Sequence, residues 1–176
     1  MRSILVAALA APASLTLLAI DPAGEALPAP VAITGPASAV TSARAERITD
    51  PARWADVWGE HLGPDAQRNI RTWHDWPEID FNRYMVLAFF RGTQSNTDGV
   101  KIESWQNKGD HVLVRYDDRT YQTFGFSDGG RISATPYAFF ILPRSAKELR
   151  LEENVQHLLN QPPVWKETHR LPAMPE

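Results

Sequence analysis

Tyr84-Met85-Val86-Leu87-Ala88-Phe89-Phe90 is an unbroken apolar run, and its reading decides the fold. It is too short for most helices and rich in residues that suit a pleated surface, so it is expected to be a central strand buried on both faces. Everything downstream reads as strands feeding that one. After the polar loop Thr93 to Asp98, Val100, Ile102 and Ser104 alternate with Lys101, Glu103 and Trp105. Asn107 to Asp110 is turn chemistry, and Val112, Val114 and Tyr116 then alternate with His111, Leu113 and Arg115, which makes a hairpin. Asp117-Asp118 reads as a further turn, Tyr121 to Phe126 as a weaker strand, and Asp128-Gly129 as a two-residue turn. Ile132 to Leu142 is apolar but interrupted at Thr135-Pro136, and a proline, having no N–H for the ladder, places an edge, a bulge or a strand start there. Lys147 to Glu152 alternates once more, and Val155, Leu158 and Leu159 suggest a short C-terminal helix.

Upstream of the run, Asp50-Pro51 opens a helix: the carboxylate caps free amides of the first turn, and proline suits a position whose N–H has no partner. Trp54, Val57, Trp58, His61 and Leu62 share one helical face, and Gly63-Pro64 ends it. The expected fold is α+β, a mainly antiparallel sheet of five to six strands with one amphipathic helix before it and a short helix at the end.

Four stretches follow from composition. Arg2, the apolar Ser3 to Ile20 and the small residues Ala23, Gly24 and Ala26 read as a signal peptide over 1–26, which implies export to the periplasm or beyond. An uncleaved anchor is the alternative, and a cleaved signal leaves no stable membrane span. Residues 27–44, rich in Pro, Ala, Ser and Thr, read as a flexible linker, 45–160 as the folded domain, and 161–176, with its four prolines, as an extended or disordered tail.

The chain has 176 residues, 43% hydrophobic and 22% charged, which is enough for one packed core. It has no cysteine, so disulfides, thiol catalysis, a lipid-bearing cysteine and cysteine zinc sites are excluded. A net charge of −3 with no Lys/Arg run argues against nucleic acid. The five histidines form no paired ligand motif, and no cofactor or metal is expected.

Gly125-Phe126-Ser127-Asp128-Gly129 fits the G-x-S-x-G nucleophile pattern, but that motif works at a strand-to-helix turn, and here a strand follows. A serine hydrolase using Ser127 with His157 or His169 is one alternative function. A module binding a sugar or peptide through Trp73, Trp76, Trp105 and the polar loop is another.

The block Ile79-Asp80-Phe81-Asn82-Arg83-Tyr84-Met85-Val86-Leu87-Ala88-Phe89-Phe90-Arg91-Gly92, the Val100 and Val112 strands, Thr135-Pro136-Tyr137 and Ile141-Leu142-Pro143 carry a resemblance to a known family. The chain from about Ile48 to Leu151 resembles the C-terminal domain of protease complex subunit PrcB proteins. That family's Gly-Gly-aromatic step reads Asp98-Gly99-Val100 here, losing one glycine and the ring. The resemblance implies a non-catalytic exported accessory of a secreted protease or other envelope protein, with a protein or peptide as partner. Candidate binding residues are Arg91, Gln94, Asn96, Asp98, Trp105, Thr135 and Tyr137, and no catalytic residue is assigned.

Overall fold

A computed structural model of the chain describes residues 31–67, 77–123, 130–156, 158 and 160–175. Among these residues, ten strands and two helices follow one another in the order β1 (Val31–Gly35), β2 (Ala43–Ile48), α1 (Pro51–Leu62), α2 (Pro64–Gln67), β3 (Tyr84–Arg91), β4 (Gln94–Ser95), β5 (Thr97–Asn107), β6 (His111–Thr120), β7 (Ser133–Ala134), β8 (Tyr137–Pro143), β9 (Glu148–Asn154) and β10 (Trp165–Leu171). One four-stranded sheet runs β1-β8-β3-β2 and a second runs β10-β9-β6-β5, with β4 and β7 forming a small pair of their own. All neighbours are antiparallel except β6 and β9, which run parallel.

The two four-stranded sheets enclose the main core. Met85, Leu87 and Phe89 of β3 and Ala138, Phe140 and Leu142 of β8 face Val112, Val114 and Tyr116 of β6 and Leu149 and Leu151 of β9. The alternate residues, Val86, Ala88 and Phe90 of β3 and Phe139 of β8, meet Trp54 and Val57 of α1 on the opposite face. The first sheet is therefore a middle layer, apolar on both sides, which is why Tyr84 to Phe90 reads as a continuous hydrophobic run. The outer face of the second sheet is laced with ion pairs such as Arg115 with Glu152 and Arg150 with Glu148.

Helix α1 forms as the sequence dictates. Asp50 Oδ1 accepts a hydrogen bond from the Arg53 backbone N–H at 2.9 Å, and Gly63 closes the helix at φ 83°, its N–H donating to the Gly59 carbonyl. Trp54 lies edge-on to Phe139 at 5.0 Å, and its indole N–H donates to the Pro77 carbonyl.

Several expectations need correcting. Five to six strands in one sheet become ten among the described residues, and no helix follows Gln67 there, so the expected C-terminal helix gives way to the β9–β10 connection. Within the expected linker 27–44 lies β1, paired with β8, and β2 begins at Ala43 beside β3. Within the expected tail 161–176 lies β10, paired with β9. Both segments are short and compositionally weak, and pairing with a partner strand, distant β8 for β1 and the preceding β9 for β10, supplies the order that local propensity lacks. Asp117 and Asp118 lie inside β6 rather than at a turn. The polar loop after β3 holds β4 and the start of β5. Pro136 sits just before β8, a strand start as one reading had it, but β8 is interior, between β1 and β3. The signal-peptide residues, the Trp73–Trp76 segment and the Ser127 turn lie outside the described residues. Among the described residues, no helix is long and apolar enough to cross a membrane.

Candidate functional site

Polar chemistry concentrates at one mouth of the sandwich, around Arg91. This residue ends β3, and Gly92 (φ 69°) turns the chain away beside β2, where a Cβ would stand only 3.0 Å from the Ala43 backbone nitrogen. The guanidinium grips Glu153 of β9 with two prongs, Nη1 to Oε2 at 3.1 Å and Nη2 to Oε1 at 2.7 Å. Nη2 also donates to Asp118 Oδ2 of β6 at 2.6 Å, and Nη1 to the Tyr116 hydroxyl at 3.1 Å. The Tyr116 hydroxyl lies 3.0 Å from Thr168 Oγ1, which ties in β10. One arginine thus joins the two sheets through charge-assisted bonds at a poorly hydrated site.

Burial and mutual charge set the protonation of this group. Burial works against the charge of Arg91, but Asp118 and Glu153 outweigh it and hold its pKa above the ordinary value. Burial pushes the Asp118 carboxyl up, against the opposing pull of Arg91. Burial also raises the Tyr116 phenol and lowers His169, whose ring stands edge-on to Phe89 at 5.2 Å. Arg91 Nε, Asp118 Oδ1 and His169 Nδ1 are buried with no hydrogen-bond partner among the described residues. The arrangement can lock the sheets together, with Asp118 and Glu153 sharing the Arg91 guanidinium. Among the described residues, no group of three or more His, Asp or Glu is placed to hold a metal ion.

A second polar cluster joins the N-terminal segment to α1. His61 Nδ1 lies 3.0 Å from Ser38 Oγ, which also accepts the Val40 backbone N–H at 3.1 Å. The His61 ring lies tilted against Tyr137 at 4.0 Å and edge-on to Phe139 at 5.3 Å, and burial pushes its pKa down to about 4. Thr135 completes the cluster: its hydroxyl donates to the Ser38 carbonyl at 2.6 Å and accepts the Ser38 N–H at 2.9 Å.

The candidate residues therefore separate. Arg91 is the centre of the mouth cluster, and Gln94 supports it by donating to the Arg91 carbonyl at 3.0 Å. Asn96, at φ 56°, accepts the Ile132 N–H on its side chain and fastens the loop, while Asp98 is exposed. Thr135 and Tyr137 belong to the Ser38–His61 cluster. Trp105 is in the inter-sheet core and not on an exposed side of β5. A bulge between Ile102 and Ser104 moves the strand by one residue, and with a period of two this turns Trp105 inward.

Asp118, Glu153 and His169 were not singled out as one group. One signal was available: Val112, Val114 and Tyr116 alternate onto the core side, and continuing that period places Asp118 there too. Leu149 and Leu151 place Glu153 on the core side by the same period, whereas Thr168 and His169 arrive on a bulged edge strand, which carries no local signal.

Compared with models of known protein families, with curated proteins and with solved structures, the chain matches none.

Proposed function

We propose that the chain is an exported, non-catalytic accessory protein, periplasmic or secreted, that binds another protein or a peptide through sheet edges and surface loops. The sequence resemblance to PrcB C-terminal domains points the same way, with a secreted protease or other envelope protein as the partner. The observation that carries the reading is how the polar groups are used. Arg91, Asp118, Glu153 and Tyr116 bond to one another, and Ser38 and His61 bond between a loop and a helix, so both clusters join elements of the fold together. A backbone edge and its neighbouring apolar surface are left as the means of recognition.

Affinity capture from native envelope extract, with the captured partner then purified and titrated against the chain, tests this. Saturable binding of one envelope protein is the expected result. Repeated failure to recover a saturable partner, or labelling by a serine-reactive probe that Ser127→Ala abolishes, would overturn it.

A further inference from the structure

The four outer strands of the two large sheets are not equally protected. An open strand edge invites pairing, and proteins guard such edges with charges, bulges or cover. On β2, Arg44 pairs with Glu60, Glu46 pairs with Arg53, and Arg47 Nη2 donates to the Lys147 carbonyl at 2.6 Å. On β5 there are two bulges and the Lys101–Glu103 pair. On β10 there is a bulge between Glu167 and His169, with Lys166, Glu167 and Arg170 along the strand. By contrast β1 reads Val-Ala-Ile-Thr-Gly, with no charge and no irregularity in its register.

Among the described residues β1 is paired on one side only, to β8. Its far end is closed by Gly99, whose approach to the Gly35 backbone is so near that a Cβ would meet it at 3.1 Å. Among the described residues its near end is uncovered, with Val31 58% exposed. Val31 also lines an apolar groove of about 260 Å³ together with Ile79, Tyr84 and Ile141. Two carboxylates, Glu78 and Asp80, stand at the same groove. Arg83 is stacked over the Tyr84 ring, so this rim carries two carboxylates and one cation engaged on an aromatic face.

We infer that the Val31–Thr34 edge and this groove form one peptide site, which takes an extended segment of a partner protein carrying an apolar side chain flanked by lysine or arginine. Backbone pairing along β1 supplies the affinity, the groove seats the apolar anchor, and Glu78 and Asp80 select the basic neighbours. The inference rests on the accessory-protein reading and names where and what that protein binds.

The test uses the full chain and two fluorescein-labelled peptides, KVKTLTKVK and its acidic counterpart EVETLTEVE. In each, the central leucine and the charged residues fall on one face of an extended strand. The basic peptide is expected to bind at least tenfold more tightly, to slow amide exchange at residues 31–34, and to lose most of that advantage in Glu78→Lys. Ala32→Lys, at an exposed position, is expected to weaken binding while leaving the melting temperature close to that of the parent. Equal binding of the two peptides, no binding of either, binding without slower exchange in β1, or a concentration-dependent dimer through β1 in place of peptide binding would each overturn the inference. Its failure is separable from that of the accessory reading: an envelope partner whose saturable binding ignores both substitutions would leave the reading standing and remove this site.

Discussion

Arg91 and Glu153, 62 residues apart, meet as a two-pronged ion pair that ties β3 of one sheet to β9 of the other. Each side chain is only 16% exposed, so the pair is held in a region where a lone charge is costly. Asp118 shares the same guanidinium, which makes Arg91 the common counter-ion of two carboxylates on the opposite sheet.

Arg91→Met would leave Asp118 and Glu153 facing each other without that cation. The expected loss is about 3 kcal/mol, the range found when one partner of a buried pair is removed. Neutralising the carboxylates as well, with Asp118→Asn and Glu153→Gln, is expected to recover part of it. Urea unfolding midpoints of the single and triple variants, at unchanged slope, check this.

The contact between Gly99 and Gly35 sets a second expectation. Gly99 has φ +123° and its position would place a Cβ 3.1 Å from the Gly35 carbonyl oxygen. Gly99→Ala therefore meets both backbone strain and a collision with β1, and is expected to destabilise by roughly 2 kcal/mol or more. Thermal unfolding should register it, and an unchanged melting temperature would show that β1 and β5 do not meet there.

His61 gives the chain an acid-sensitive element. Its pKa is pushed from 6.5 down to about 4 by burial, so the folded state resists protonation that the unfolded state accepts. Its contribution is constant above pH 6.5, falls as the pH drops below that, and is fully lost below about 4. After allowance for solvent access, the loss is about 2 kcal/mol. Melting temperatures of the parent and His61→Phe between pH 7 and pH 4 should converge as the pH falls, because the variant lacks this term.

Trp105 tests the register of β5. As a core residue it should cost about 3 to 5 kcal/mol on truncation to alanine, whereas an exposed binding residue would cost little. Chemical unfolding of Trp105→Ala distinguishes the two placements.

Much of this architecture was legible in the chain itself, and the reasons are specific. The double-sided apolarity of Tyr84 to Phe90, the Asp50 cap with Pro51, and the alternation flanking Asn107 to Asp110 are local signals of strand, helix and hairpin, and each corresponds to the element found. Elements whose order comes from pairing rather than from their own composition were illegible. Strands β1 and β10 lie in stretches whose prolines and small residues look like connectors, and they become strands through β8 and β9. The separation into two sheets depends on β6 and β9 pairing in parallel across a long connection, which no local period encodes. Arg91, named as a candidate binding residue, directly follows the apolar run, and the structure uses it inside the fold on carboxylates distant in sequence. Trp105 was misplaced because one bulge reverses the side to which every later residue points.

Site-specific photo-crosslinking in the native envelope tests the central claim most directly. A benzophenone amino acid is placed at Ala32 on the β1 edge or, as a control, at Lys101 on β5. The account expects a discrete polypeptide adduct from position 32 that disappears in Glu78→Lys, and none from position 101. No adduct at 32, or the same adduct from both positions and in Glu78→Lys, would contradict it.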